Sequence, residues 1–342
     1  MIKVSIIIPC YNEEETIAKT LAGLCGQTFP VKNMEVIIAD GFSTDQTRAE
    51  IAGFSRSHPE ILVIVVDNPR RTIPSGLNIA LRQATGQYII RMDAHSVPSD
   101  DYVTRCVADL ESNLGTNVGG LWKILPGSSS WIARSIARAA ATPLGVGDAG
   151  YRLGAASGPV DTVPFGAFRR SELLALGGYD ENLLANEDYE LNTRIRQNGG
   201  TVWLDAQIQC AYYARSSVKA LAIQYWRYGF WKAQMVRRYP RSLRWRQALP
   251  PVFVAGLVAL MLLAPFHWIF TSLLTAALGF YMVVLLFAGI VLALRSSDLP
   301  FIIGIPVAIA TMHVGGGSGF ITGCYVYVAF KVVFRHFHNG DF

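Results

Sequence analysis

Two hydrophobic periods alternate along the N-terminal part of the chain. Short β-branched runs predict strands, and a segment with the period of an amphipathic helix follows each one. The predicted pairs are Val4–Pro9 with a helix to about Leu24, Val36–Ala39 with a helix from about Asp45, Leu62–Val66 with a helix at Ser75–Ala84, and Tyr88–Met92 with a helix from Ser99. This repeated order predicts an α/β fold with a mostly parallel sheet covered on both faces.

The pattern also predicts where individual elements begin and where regular structure is interrupted. Asn12 and Glu15 form a capping-box pattern at the start of the first helix. Residues 128–158 mix an amphipathic stretch with a glycine-rich one, and we expect a mobile loop region near a membrane. Further on we expect a strand at Val160–Phe165, a short helix at Ser171–Leu176, and a well-capped helix with acidic residues in its first turn at Asn186–Gln197.

The C-terminal third of the chain is predominantly apolar. Two stretches, at about residues 249–270 and 271–294, each reach the ~20 residues that cross a hydrocarbon core. A third stretch is interrupted by the glycine-rich residues 315–319 and is followed by basic residues, which favour the cytoplasmic side. We therefore expect a broken or re-entrant segment at 299–334 and a cytoplasmic C-terminus.

Charge separates this part from the rest of the chain. No Asp or Glu occurs between Ala206 and Ser297, and residues 216–247 combine Lys and Arg with Trp and Tyr. Such a mixture just before an apolar run predicts interfacial helices on an anionic membrane face rather than a surface for single-stranded nucleic acid. The chain is thus predicted to have three parts: a soluble domain at 1–215, interfacial helices at 216–247 and a transmembrane region at 248–342.

The N-terminus and the cysteines bear on the compartment. The first residues enter a strand pattern directly, without the apolar segment of a signal peptide. The five cysteines have neither paired nor metal-ligand spacing, so we expect reduced thiols and no zinc site. These observations predict a multi-pass protein of the cytoplasmic (bacterial inner) membrane whose soluble domain is cytoplasmic.

Polar side chains follow several of the predicted strands. They are Asn12 and Glu13 after the first strand, Asp40, Ser43 and Asp45 after the second, and Asp93 and His95 after the fourth, with Glu187 and Asp188 opening a later helix. Each has a structural explanation, since Asn and Asp cap helices and acids favour the first helical turn. Ligands of parallel sheets bind beyond the carboxyl ends of the strands. The combination therefore predicts an acidic ligand site that takes a cation or hydrogen-bond donors.

Five motifs in this order resemble family 2 glycosyltransferases with the GT-A fold, a likeness that covers about residues 1–215. They are Val4-Ser-Ile-Ile-Ile-Pro-Cys-Tyr-Asn-Glu13, Ala39-Asp-Gly-Phe-Ser-Thr-Asp-Gln-Thr47, Met92-Asp-Ala-His95, Gly177-Gly-Tyr-Asp-Glu181 and Asn186-Glu-Asp188. The C-terminal layout, with Gln224-Tyr-Trp-Arg-Tyr-Gly229 and Met312-His-Val-Gly-Gly-Gly-Ser-Gly319, is similar to the succinoglycan glucosyltransferase branch of bacterial exopolysaccharide enzymes.

The resemblance implies how a nucleotide-sugar donor binds. It assigns Asp40 to the uracil ring of a UDP-sugar and Asp93 to the ribose and a divalent metal. His95 stands where the family has a second aspartate, which shifts the metal preference from Mg²⁺ toward Mn²⁺. A histidine that only forms hydrogen bonds, with no metal, is the alternative. The full set of donor-binding residues implied is Pro9, Tyr11, Asn12, Glu13, Asp40, Ser43 and Asp93.

The resemblance also implies the chemistry. Asp188 matches the catalytic base of an inverting transfer, and Glu187 orients the site. Gln224 and Arg227 match part of the acceptor and diphosphate motif of processive synthases, but Tyr228 replaces its tryptophan; an interfacial helix with aromatic anchors is the alternative. We expect transfer of one sugar, glucose, from a UDP-sugar to a polyprenyl-diphosphate-linked saccharide. The alternatives are a polyprenyl-phosphate sugar synthase and a non-catalytic nucleotide-sugar-binding subunit.

Overall fold

The structure is a computed structural model that describes residues 2–338, with side chains for residues 2–326. Two compact units make up the chain. The first unit contains the residues up to Ile124 together with Ala149–Tyr213, and the second contains Leu125–Asp148 and the residues from Ala214 onward. The segment 125–148, which the sequence pattern places in the soluble domain, therefore belongs with the C-terminal helices.

The described elements follow one another in a fixed order along the chain. They are β1 Val4–Cys10, α1 Ile17–Cys25, β2 Met34–Asp40, α2 Thr47–Ser57, β3 Leu62–Asp67, α3 Ile73–Gln83, β4 Tyr88–Arg91, β5 Ser96–Pro98, α4 Tyr102–Glu111, β6 Asn117–Pro126, α5 Trp131–Ala139, α6 Pro143–Val146, α7 Gly150–Leu153, β7 Gly158–Pro159, β8 Ala167–Arg169, α8 Arg170–Ala175, α9 Glu187–Gln197, β9 Val202–Ala214, α10 Val218–Arg238, α11 Trp245–Leu263, α12 Trp268–Ser296 and α13 Phe301–His338.

One nine-stranded sheet organises the first unit, in the order β3-β2-β1-β4-β8-β6-β9-β5, with β7 paired to β9. The first four strands are parallel, as the alternating pattern predicts. β8 then pairs antiparallel with β4 and β6, so the sheet is mixed. The register sets Cys10 opposite Asp40 and Asp40 opposite Asp67. The carboxyl ends of β1, β2 and β3 therefore lie at the same edge.

The parallel strands are buried on both faces. In β1, Ile6 and Ile8 join a core with α1 and α4, whereas the intervening Ile7 joins a second core with α3. Successive side chains of a strand point to opposite faces, so one short apolar run supplies both cores. This double burial explains why the run reads as continuously hydrophobic rather than alternating.

Several predicted details of the first unit are wrong. Helix α1 begins at Ile17, not at the Asn12–Glu15 capping box, because Asn12 has a left-handed backbone with φ 54° and contacts the β2–α2 loop. Residues 160–165 form no strand, since Phe165 is also left-handed, at φ 63°. Strands β6 and β9 have no counterpart in the sequence prediction.

The predicted loop region 128–158 contains three helices, α5, α6 and α7. The hydroxyl of Ser130 caps α5 by accepting a hydrogen bond from the Ala133 amide. Arg134 pairs with Asp298 at 2.9 Å, and Asp148 pairs with Arg246. The amphipathic pattern of this segment thus reflects a helix with one face against α13 and charged side chains that bind the same unit.

Three helices of the second unit are long and apolar enough to cross a membrane: Trp245–Leu263, Trp268–Ser296 and the part of α13 at Phe301–Val326. The first two correspond to the predicted spans at about 249–270 and 271–294, but their ends are shifted. The predicted break at 299–334 is wrong, because α13 is one continuous helix through its glycines. The position of the C-terminus, residues 339–342, lies outside the described residues.

Glycines of α13 and α10 make contact surfaces instead of breaks. A Cβ on Gly229 would lie 2.0 Å from the carbonyl oxygen of Gly316, and one on Gly319 would lie 2.1 Å from that of Trp226. Gly317 meets α11 in the same way, at 2.6 Å from the carbonyl oxygen of Pro250. Small residues allow helix backbones to approach closely, which is a common basis of helix association in membranes.

Substitution of Gly229 by Ala should therefore lower the thermal stability of the full-length protein in detergent. The new methyl group must push α10 away from α13, and overpacking of this kind costs roughly 1–3 kcal/mol. Gly256→Ala is the matched control, because a Cβ there meets nothing within 4 Å. Equal unfolding temperatures for the two variants would contradict the close approach.

Candidate active site

A buried arginine forms ion pairs with three acidic residues of the first unit. Arg91, the last residue of β4, is 3% exposed and forms ion pairs with Asp93 and Glu187, each at 3.0 Å, and with Asp188. Burial lowers the pKa of Arg91, but attraction from Asp188, Asp93 and Glu187 outweighs it, so the pKa lies well above its ordinary value. The predicted site residues Asp93, Glu187 and Asp188 therefore meet at one permanent cation.

Asp188 is the carboxyl in this group that is suited to accept a proton. Burial raises its pKa to about 7; repulsion from Glu187 and Asp93 adds to the rise, and attraction to Arg91 opposes it. The side chain keeps 26% of its surface accessible, so another molecule can reach it. A carboxyl that titrates near neutral pH is an effective general base, unlike one at the ordinary pKa.

The start of α9 is held in place by polar contacts with the preceding loop. Arg194 donates hydrogen bonds to the carbonyl oxygens of Leu176 and Gly178, and pairs with the buried Glu190. Gly178 has φ 70°, and a Cβ there would lie 2.5 Å from the side-chain oxygen of Asn78. Gly178 is therefore required for the close approach of this loop to Asn78 of α3.

His95 is oriented by Glu13, which lies at the end of a different strand. The Nδ1 atom of His95 and a carboxylate oxygen of Glu13 are 2.9 Å apart, and the hydroxyl of Thr16 donates to the other oxygen at 2.7 Å. In a neutral imidazole that donates from Nδ1, Nε2 is the acceptor, and this is the arrangement typical of metal-binding histidines with a carboxylate partner. Glu13 thus contacts His95, not only the donor pocket that the resemblance implies.

Asp40 lies beneath the surface at the end of β2. It is fully buried, and its oxygens accept hydrogen bonds from the Ser43 hydroxyl at 2.5 Å and from the Arg48 Nε at 2.5 Å. Arg48 also pairs with Asp67 at the end of β3. The carboxylate that the resemblance assigns to the uracil ring is therefore engaged by groups of the chain itself.

The ends of β1 and β2 are tied together by Asn12. Its backbone N–H donates to the Ser43 hydroxyl at 2.9 Å, and its side-chain oxygen accepts from the Thr44 backbone N–H at 2.8 Å. Tyr11 is 46% exposed beside this connection, and Pro9 pairs in register with Ala39. Of the predicted donor-binding residues, Asn12 and Ser43 therefore build the loop, and Tyr11 presents its ring to solvent.

The predicted acceptor residues belong to the second unit. Gln224, Arg227 and Tyr228 all lie on α10, where the Gln224 amide donates to the Tyr228 hydroxyl at 3.0 Å. Arg227 is exposed. Their role in binding an acceptor or a diphosphate stays a prediction.

The sequence interpretation missed some residues of this site. Arg91 carried a signal, because a charged residue that ends the apolar run Tyr88-Ile-Ile must have a partner when buried. For Tyr179 the sequence provided no signal other than its place in the Gly177–Glu181 motif. Its buried hydroxyl has no hydrogen-bond partner among the described residues, and burial raises its pKa well above the ordinary value.

The cysteines are all free, as expected. One of them, Cys25, lies near His58 and Glu60, with ligand atoms of the three side chains within 4.8 Å of one another.

The residues of the site fit a divalent cation. Three carboxylates against the single guanidinium of Arg91 leave a net charge of about −2 when all are ionised. Asp93 offers oxygen and His95 offers an oriented imidazole nitrogen, a mixed donor set that suits Mn²⁺. Asp93 and His95 would hold such an ion, which would supply positive charge for a bound anion such as a diphosphate.

Known proteins resemble this chain in sequence and in fold. The family model described as glycosyl transferase family 2 matches residues 5–174. The succinoglycan biosynthesis protein ExoA of Rhizobium meliloti (strain 1021) is 31% identical over 92% of this chain and 93% of its own length. A Methanococcus voltae protein is 28% identical over 94% of this chain and 96% of its own length; its name is dolichyl N-acetyl-alpha-D-glucosaminyl phosphate 3-beta-D-2,3-diacetamido-2,3-dideoxy-beta-D-glucuronosyltransferase.

Solved structures confirm the predicted GT-A fold class. The mannosyltransferase PcManGT from Pyrobaculum calidifontis, solved with GDP-Man and Mn²⁺, has a TM-score of 0.63 at 20% identity, over 92% of this chain and 86% of that chain. TarS residues 1–349 from S. aureus, solved with UDP-GlcNAc, has a TM-score of 0.50 at 15% identity, over 93% of this chain and 91% of that chain. At such low identity the likeness describes the fold alone.

Replacement of Arg91 by Met should strongly destabilise the protein, because three carboxylates would share a site without a counter-charge. Loss of one partner from a buried ion pair costs about 3–5 kcal/mol. The loss of stability should be smaller at acidic pH, where the folded variant binds protons that relieve this repulsion. It should also be smaller in the double variant Arg91→Met/Glu187→Gln, which has one carboxylate fewer. Thermal unfolding measures all three effects.

Arg105→Met is the control for the Arg91 experiment. Arg105 pairs with Asp101, and both side chains are 39% exposed. Exposed pairs contribute little to stability, so this variant should unfold close to the wild-type temperature. A pH-independent loss in Arg91→Met, no larger than that of Arg105→Met, would show that Arg91 does not neutralise the acidic group.

Proposed function

The chain belongs to glycosyl transferase family 2, and from this premise we propose that it transfers glucose from UDP-glucose to a polyprenyl-diphosphate-linked saccharide, with inversion at the anomeric carbon. It is a glycosyltransferase of polysaccharide or glycoconjugate biosynthesis. The observation that carries the proposed mechanism is the partly exposed Asp188, whose pKa is about 7 beside Arg91.

Inversion by direct displacement requires one base. In the proposed step Asp188 accepts the proton of the acceptor hydroxyl as that oxygen attacks the anomeric carbon, and the bond to the β-phosphate oxygen breaks to release UDP. Arg91 holds Asp188 toward the acceptor and stays protonated throughout, because its own pKa is well above the ordinary value. Glu187 orients Arg91 rather than sharing the proton transfer.

We propose that Asp93 and His95 hold a divalent metal, with Mn²⁺ favoured over Mg²⁺. When bound, such an ion compensates the charge that develops on the departing diphosphate. Glu13 keeps the imidazole of His95 in the orientation that a ligand needs. The other proposed donor contacts are Tyr11, through its exposed ring, and the loop built by Asn12 and Ser43.

The proposed acceptor is a lipid-linked saccharide. Support comes from the three candidate membrane spans and from the name of the Methanococcus relative, whose acceptor is a dolichyl phosphate-linked sugar. Gln224, Arg227 and Tyr228 of α10 are proposed to contact the acceptor or its diphosphate. We place the catalytic unit on the cytoplasmic side of the cytoplasmic membrane, where nucleotide-sugars are made.

Product analysis with a panel of donors and acceptors tests the proposal. The full-length protein in detergent should convert UDP-glucose and a polyprenyl-diphosphate saccharide to a saccharide one sugar longer. Asp188→Asn should lower this rate ~10²–10⁴-fold while UDP still binds, since the amide keeps the shape but accepts no proton. A mild-acid-labile polyprenyl-phosphate monosaccharide would instead identify a polyprenyl-phosphate sugar synthase. No turnover with any pair would indicate a non-catalytic subunit.

The pH dependence of the same reaction checks the role of Asp188. A base must be deprotonated, so kcat/KM should fall tenfold per pH unit below about 7 and level off above it. In Asp188→Asn this inflection should disappear. A residual rate above about a tenth of wild type, or an unchanged inflection in the variant, would assign the base to another group.

Chelation should stop transfer, and Mn²⁺ should restore it best. Mn²⁺ binding, followed by electron paramagnetic resonance without any sugar substrate, should weaken in His95→Ala and, to a smaller extent, in Glu13→Gln, since loss of a carboxylate behind a ligand typically costs 10–100-fold in affinity. His267→Ala, at an exposed histidine just before α12 in the second unit, is the control. Full activity in chelator would mean that His95 acts without a metal.

A further inference from the structure

The backbone of Phe42 adopts a conformation that bulky residues rarely take. Its φ is 60°, in the left-handed region where glycine is the default residue. Strained non-glycine residues of this kind persist when the surroundings hold them, and they cluster at ligand sites. Burial does not account for the phenylalanine, because 39% of the residue is exposed.

Charged side chains, rather than a hydrophobic core, hold the ring of Phe42. The guanidinium carbons of Arg48 and Arg71 each lie 5.8 Å from the ring centroid, within cation–π range. Arg48 is itself anchored by ion pairs to Asp40 and Asp67. The position of the ring therefore depends on residues at the ends of two strands, β2 and β3, although the ring stays accessible.

Phe42 is also the exposed group at the end of β2. Asp40 is fully buried under Ser43 and Arg48, so its carboxylate is not presented to solvent. Gly41, between the two, lies against Tyr11, since a Cβ there would be 3.3 Å from the Tyr11 ring. A partly exposed aromatic side chain thus lies where the resemblance places a nucleobase contact.

We propose that Phe42 is a stacking surface for the nucleobase of the donor, held in its strained conformation by Arg48 and Arg71. The inference rests on the proposed function, because it takes a nucleotide-sugar as the ligand. Stacking requires only a flat π face and accepts any base. Phe42 therefore contributes affinity to uridine and guanosine nucleotides alike, and discrimination between bases comes from groups at the edge of the ring.

Nucleotide binding by variants of residue 42 tests this assignment. Phe42→Asn removes the ring but suits the left-handed backbone, and Phe42→Tyr keeps the ring. Binding of UDP and of pyrophosphate, each with Mn²⁺, is measured by calorimetry on the full-length protein in detergent, together with thermal unfolding. Loss of stacking on one base corresponds to roughly 5–150-fold in affinity, so Phe42→Asn should weaken UDP by about that factor.

The other arms separate a binding role from a structural one. Pyrophosphate affinity and the unfolding temperature should not fall in Phe42→Asn, and Phe42→Tyr should bind UDP as wild type does. Leu114→Asn, at an exposed apolar residue beyond α4, controls for the loss of apolar surface and should change neither ligand. Wild-type UDP affinity in Phe42→Asn, or equal losses for UDP and pyrophosphate, would overturn the assignment.

The experiment distinguishes a wrong donor from a wrong role for Phe42. If wild type binds GDP but not UDP, the proposed donor is wrong, and the same variants with GDP and pyrophosphate decide the role of Phe42. If wild type binds pyrophosphate with Mn²⁺ and gains nothing from any base, Phe42 is not a stacking surface, whatever the donor. If it binds neither ligand, both proposals fall together.

Discussion

The site depends on the ion pairs of the buried Arg91 with three carboxylates at one edge of the sheet. Asp93 comes from the loop after β4, whereas Glu187 and Asp188 come from the start of α9, and only a buried cation allows them to share one place. The same arrangement explains how one carboxyl among them titrates near neutral pH. Burial and the neighbouring acids raise the pKa of Asp188, and Arg91 limits the rise and fixes its orientation.

A second layer of polar contacts joins strand ends that are distant in sequence. Glu13 reaches His95, Asn12 reaches the Ser43–Thr44 loop, and Arg48 links Asp40 to Asp67. Each contact joins two parallel strands at the edge where a ligand binds in this class of sheet. The polar residues of the family motifs therefore connect the strand ends at this edge of the sheet.

In the second unit, helices are held together by close contact of their backbones at glycines, whereas ion pairs hold the site of the first unit together. The glycines of α13 lie against α10 and α11, so a helix with several glycines is stabilised by packing that larger residues would prevent. Exposed apolar side chains cover α11 and α12, as expected for helices that face lipid. The second unit, which contains the three candidate membrane spans, also includes α5 and α6, although these helices precede residue 149 in the chain.

Sequence alone determined the features that follow from local pattern and composition. Local pattern predicted the parallel strands β1–β4, the intervening helices, the two apolar stretches of α11 and α12, and the acidic strand ends. Each of these depends on a period, a length or a residue type. Tertiary structure decided what depends on partners far along the chain. Asn12 is not a helix cap because its oxygen binds Thr44, and Gly315–Gly319 is not a break because α10 and α11 lie against it. Arg91 is a candidate site residue because the distant Glu187 and Asp188 join the neighbouring Asp93 around it. No local pattern reports such partners, since a side chain or a glycine reads the same in the sequence whether it meets solvent, an acid or another backbone.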